Sequence, residues 1–158
     1  MRYFIILLIH LSLFAQSYDF EELKFISAVS TEFKKSGNIS IEENKTVITY
    51  NKPSFKQIVK DSENVSIEGS SGKIYKLKGK AKYFTQQFID IMTRLGDFNE
   101  IKSNRDFDVK KEKSVYYLTF LEEISSQIKS AEVRIESSKV LSFKMFLPNE
   151  DTIEIIKK

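Results

Sequence analysis

Apolar residues recur along this chain with two different periods, and the change of period marks its elements. Within Lys80–Gly96, KAKYFTQQFIDIMTRLG, the residues Phe84, Phe88, Ile91, Met92 and Leu95 recur at spacings of three or four, with one adjacent pair. At about 100° per residue they form one apolar stripe. Thr85, Gln86, Asp90, Thr93 and Arg94 fall outside it. The spacing predicts an amphipathic helix, stopped by Gly96 and with Arg94 favourably placed in the last turn. Such a stripe is read either as ordinary core packed on a sheet or as a lid over an apolar cavity.

Most of the remaining chain alternates with period two. Strands are predicted at Asn38–Glu42, Thr46–Asn51, Phe55–Lys60, Asn64–Glu68, Lys73–Leu77, Asp106–Val109, Ser114–Leu121, Ala131–Glu136, Val140–Leu147 and Thr152–Ile156. In Val140–Leu147, the alternation puts Leu141, Phe143, Met145 and Leu147 on one face and Ser142 and Lys144 on the other. Asp19–Ala28 carries a short helical pattern with Phe20 and Leu23 inward, and Gly37-Asn38 reads as a turn. Short connections between strands mean hairpins, hence one antiparallel sheet of roughly 9–11 strands in an α+β domain. A sheet that wide must curl, and its apolar concave face must be covered. The Lys80–Gly96 helix is the natural cover.

Residues 1–17 read as a secretory signal peptide. Arg2 supplies the positive end, Tyr3–Ala15 is apolar except for His10 and Ser12, and Ala15 and Ser17 are small residues before Tyr18. The apolar run is short for a membrane span. The expected product is a soluble exported protein of residues 18–158, one domain without linker or repeat.

That reading changes what chemistry is open to the chain. The only histidine, His10, leaves with the leader, and there is no cysteine. Without them no Ser-His or Cys-His pair can form, metal-ligand spacing is absent, and stability must come from packing rather than disulfides. Glu42-Glu43 and Glu122-Glu123 sit in predicted turns and read as solvated surface. Gly69-Ser70-Ser71-Gly72 lacks the Lys-Ser/Thr and helix of a phosphate loop. The chain is therefore not expected to be an enzyme or to need a cofactor or metal. Net charge is +3, but lysines and acids are interspersed, which does not describe a nucleic-acid binder. Lys73, Lys76, Lys78, Lys80 and Lys82 are the exception, a run without acids. It reads as a solvated edge or as a docking patch for an acidic partner or membrane. Thirteen Phe and seven Tyr allow a wide apolar binding surface.

The order of elements and several local segments resemble the LolA family of periplasmic outer-membrane lipoprotein carriers. Gly37-Asn38-Ile39-Ser40-Ile41 is similar to that family's Gly-x-hydrophobic-x-hydrophobic strand, and Val47–Pro53 to its aromatic-x-Tyr-x-x-Pro segment. The Ile58–Ile67 hairpin, Tyr117-Leu118-Thr119-Phe120 and Ile128–Ile155 resemble the strands that follow. The family's Arg-Pro pair, whose Arg latches the lid, has no counterpart near Glu43-Asn44. Its Phe-x-Gln is at best Glu32-Phe33-Lys34, and Leu121-Glu122 stands where a Pro usually follows the Leu-x-Phe-like strand. The resemblance implies an unclosed antiparallel half-barrel under a helical lid. It implies a monomer that shelters lipoprotein acyl chains, or another lipid amphiphile, between an inner-membrane lipoprotein-releasing transporter and an outer-membrane acceptor. The ligand-binding residues expected on that basis are Tyr50, Phe55, Phe84, Phe88, Ile91, Met92, Leu95, Tyr116, Leu118, Phe120, Leu141, Phe143 and Met145. The competing reading is a non-catalytic periplasmic β-domain with a closed core, acting as an envelope interaction or assembly module.

Overall fold

Residues 16–26 form a strand where the sequence pattern predicted a short helix. The computed structural model describes residues 16–96, 102–103, 107–121 and 125–158, the side chains of 94–96 excepted. The proposed leader, apart from Gln16 and Ser17, lies outside the described residues. In β1 (Gln16–Ile26), Tyr18, Phe20 and Glu22 are buried in alternation. A glutamate at the third inward position hides the period-two pattern from an apolar count. β1 includes Gln16 and Ser17, which pair with Ile41 and Ser40, although the leader reading ends at Ser17.

β2 (Thr31–Ile41) runs straight through Gly37-Asn38, the predicted turn. The reversal lies earlier, in a single 3-10 turn at Ser27–Val29 that closes on Ser30 in the left-handed region, φ 47. Gly37 serves the sheet instead. A Cβ there would stand 2.0 Å from the Thr49 carbonyl oxygen, beside a bulge between Ser36 and Gly37. In register, Gly37 lies between Phe20 and Tyr50. Its missing side chain lets those two rings meet edge to face at 5.3 Å.

The other predicted strands form within a few residues of their expected bounds. They are β3 (Lys45–Lys52), β4 (Lys56–Asp61), β5 (Asn64–Gly69) and β6 (Ile74–Lys76), then β7 (Phe107–Glu112), β8 (Val115–Phe120), β9 (Ser130–Glu136), β10 (Lys139–Phe146) and β11 (Thr152–Lys157). The predicted helix is α1 (Gly79–Gly96).

All eleven strands join one antiparallel sheet in the order β6-β5-β4-β3-β2-β1-β11-β10-β9-β8-β7. The sheet is two meanders, β1–β6 and β7–β11, joined at a central seam where β1 pairs with β11. The two edges, β6 and β7, do not pair, so the barrel is unclosed. α1 lies between β6 and β7 in the chain. It therefore connects the two edges, and it packs across the sheet against β1, β3, β5 and β10. Its 18 residues span about 27 Å at ~1.5 Å per residue, the length of a cover laid across several strands.

Register explains the core. Tyr18, Ile39, Ile48, Ile58 and Ile67 stand side by side on five neighbouring strands. In the other half, Ile155, Phe143, Val133 and Tyr116 do the same. All but the half-buried Ile67 are buried. The two rows are out of step at the seam: the first reaches β1 at Tyr18, the second faces Glu22. Such a stagger is what strand tilt produces when a sheet curls toward a barrel. A second tie is Asp151, buried in the β10–β11 turn, whose carboxylate accepts from the Ser27 N–H at 2.9 Å and from Asn149 Nδ2 at 2.9 Å.

Candidate functional site

The concave face is the surface that most of the predicted ligand-binding residues share. Tyr50 lies on it from β3, Tyr116, Leu118 and Phe120 from β8, and Phe143 and Met145 from β10; all are buried. Met92 of α1 is fully buried against them. Phe88 and Ile91 are half-buried and pack on the same core. Phe84 is also half-buried, with its ring edge-on to Tyr83 at 5.4 Å. The Leu95 side chain lies outside the described residues.

Two predicted residues do not belong to this face. Leu141 is 38% exposed, because a bulge between Val140 and Ser142 inserts it as an extra residue. Val140 still faces inward opposite Ile135, and Phe143 opposite Val133, so the alternation resumes one residue late. Phe55 is 40% exposed in the loop between β3 and β4. Pro53 ends β3 before Phe55 can take an inward position.

The helix presents a different side from the one its stripe predicted. Among its described side chains, Ile89 and Met92 are the fully buried ones. Ile89 was not in the predicted stripe, and on a helical wheel it lies about 100° from Phe88. The deep contact is thus rotated toward Ile89, and Phe84, Phe88 and Ile91 lie to one side of it, half-buried. The spacing of three between Ile89 and Met92 was the available signal.

Polar contacts hold α1 at its C-terminal half. The Tyr18 hydroxyl donates to the Met92 carbonyl. Burial pushes the Tyr18 phenol well above its usual range, so it stays a donor. Lys60 Nζ meets Asp90 Oδ1 at 2.8 Å. Lys60 lies in register between Thr46 and Val65, both buried inward positions, so it reaches the helix from the concave side.

Sequence reasoning missed a charged group beside this apolar face. Glu22 is buried, accepting from Lys35 Nζ at 2.9 Å and from the Tyr50 hydroxyl at 2.6 Å. Burial first, then the Glu22 charge, raises the Tyr50 phenol far above its ordinary value. The Lys35 and Lys56 ammonium groups stand 5.5 and 5.7 Å from the centroid of the Tyr50 ring. No group of acids, histidines and cysteines able to hold a metal occurs among the described residues.

No family model and no curated protein matches this chain. Solved structures do resemble it. A DUF1329 family protein from Desulfovibrio piger is 8% identical with a TM-score of 0.48, the match covering 91% of this chain and 83% of that one. A putative outer membrane lipoprotein-sorting protein domain from Vibrio parahaemolyticus is 5% identical at 0.44, covering 91% and 83%. A LolA superfamily protein from Nitrosomonas europaea is 9% identical at 0.43, covering 93% and 85%.

The predicted docking lysines gather at one edge. β6 is wholly exposed, with Ile74 at 65% and Tyr75 at 57%. Lys73, Lys76, Lys78 and Lys80 are exposed and Lys82 is half-buried. None of the five takes part in an ion pair among the described residues. No helix of the described residues is long and apolar enough to cross a membrane.

Proposed function

We propose that this protein is a carrier that shelters the acyl chains of a lipoprotein, or of a related lipid amphiphile, between the concave face and α1. The supporting observation is the roof. One helix covers the apolar face of an unclosed sheet, and its apolar residues exceed its deep contact, leaving Phe84, Phe88 and Ile91 half-buried. An acyl chain gains about 0.8 kcal/mol per buried CH₂. Apolar surface that can be uncovered therefore suffices to hold it, without turnover or cofactor. Opening requires release of the Tyr18–Met92 and Lys60–Asp90 contacts and separation of Ile89 and Met92 from the sheet. On this reading the protein works in the periplasm, is loaded at the inner membrane and delivers to the outer membrane. The sequence resemblance supports that route, and the basic edge at β6 supplies a surface for docking.

The closed-core interaction module is the second reading, favoured by the complete burial of Ile89 and Met92. Native mass spectrometry of the purified protein, followed by titration with a fluorescent acyl probe, separates the two. Co-purifying lipid and saturable probe binding are expected of the carrier. A clean apo mass with no probe binding would establish the module instead.

A further inference from the structure

From the residues around Tyr50 we infer that Lys35 and Lys56 form a site for the anionic oxygen group, phosphate or carboxylate, of a bound amphiphile. The inference deepens the carrier reading by assigning the head of the ligand as well as its tail.

The argument begins with charge. Glu22 answers one cation, Lys35, through the 2.9 Å contact. Lys56 has no ion pair among the described residues. Both ammonium groups nevertheless stand over the one Tyr50 ring. Lys56 is exposed, so a ligand can reach it; partial burial of its ammonium, then the neighbouring Lys35 charge, depresses it below its ordinary range, with Glu22 opposing. The cluster is thus one negative charge short. An anion placed against Lys56 and Lys35 relieves that deficit through charge-assisted hydrogen bonds.

Position supplies the second half of the argument. Glu22 and Lys35 are opposite each other on β1 and β2. Across the seam Glu22 faces Ile155, which starts the buried row through Phe143, Val133 and Tyr116. Lys56 is opposite Tyr50 on the next strand pair. Cations therefore meet the end of an apolar row on one face of one sheet. That is the arrangement an amphiphile with a charged head and an acyl tail requires.

The test uses the full exported chain and three probes: dodecyl phosphate, dodecyl maltoside with its neutral head, and inorganic phosphate. Lys56→Gln is the main variant, since it breaks no ion pair, and Lys56→Arg is the rescue; urea unfolding checks that both are folded. We expect dodecyl phosphate to bind roughly tenfold more tightly than dodecyl maltoside. Lys56→Gln should abolish the difference and Lys56→Arg restore it. Equal binding of the two dodecyl ligands, or a difference that survives Lys56→Gln, overturns the anion site and leaves the carrier reading standing. Lys56-dependent binding of inorganic phosphate without either dodecyl ligand supports the site for a free anion and removes the carrier reading. No binding of any probe overturns both.

Discussion

At the scale of single residues, the outcome turns on groups whose surroundings leave them one state. Gly37 is such a case. Its absent Cβ would lie 2.0 Å from the Thr49 carbonyl oxygen, a backbone atom that cannot swing aside. Gly37→Ala must therefore part β2 from β3 or move Tyr50 off Phe20. A loss of about 3 kcal/mol or more is expected in urea unfolding; a loss below about 1 kcal/mol would mean that the bulge relaxes freely. Tyr18 and Tyr50 give a pH signature. Both phenols are raised above the ordinary 10.0 by burial, Tyr50 also by Glu22. Below pH 10 both phenols are protonated folded or unfolded, so their contribution is constant. Above it the unfolded chain releases their protons and the folded chain retains them. Stability should then fall by up to ~1.4 kcal/mol per pH unit for each tyrosine. Denaturant melts between pH 9 and pH 11, on the wild type and on Tyr18→Phe, check this: the variant should show a shallower alkaline decline. Equal slopes would remove Tyr18 from the account.

Among elements, what was legible in the sequence depended on whether inward positions are apolar. β8 announces itself because Tyr116, Leu118 and Phe120 are all large and buried. β1 does not, because its third inward residue is Glu22, whose burial is made tolerable only by Lys35 and Tyr50 from other strands. Those partners are distant in sequence, so no local pattern could reveal them. The bulge at Leu141 is likewise a property of pairing with β9 and not of β10 alone. For α1 the sequence placed the helix correctly but not its rotation, since the stripe is wider than the contact and the sheet selects which part is buried. That yields a test of lid against core. Ile89→Ala removes a fully buried side chain and should cost about 2–5 kcal/mol. Phe88→Ala removes a larger but half-buried ring and should cost less, roughly 1–2 kcal/mol, while weakening acyl-probe binding. A Phe88→Ala loss above about 4 kcal/mol, in a protein that never binds the probe, would make α1 an ordinary core helix.

For the molecule as a whole, leaving the sheet unclosed creates two strand edges that must be managed. β6 is only three residues long, and exposed lysines surround it. Short charged edges are a common guard against pairing with another chain. Guarding and docking are different jobs, and charge sign separates them. A glutamate repels an incoming strand as a lysine does, but it cannot attract an acidic partner or an anionic membrane. Neutral threonine loses both functions. Lys76→Glu with Lys78→Glu should leave stability within about 0.5 kcal/mol, because neither lysine holds an ion pair among the described residues. The same pair should slow association with envelope membranes at low salt, and the deficit should shrink as salt screens it. The Lys76→Thr, Lys78→Thr protein should show a smaller deficit of the same kind. If both variants associate at the wild-type rate and only the threonine pair self-associates, the lysines are edge guards and not a docking patch.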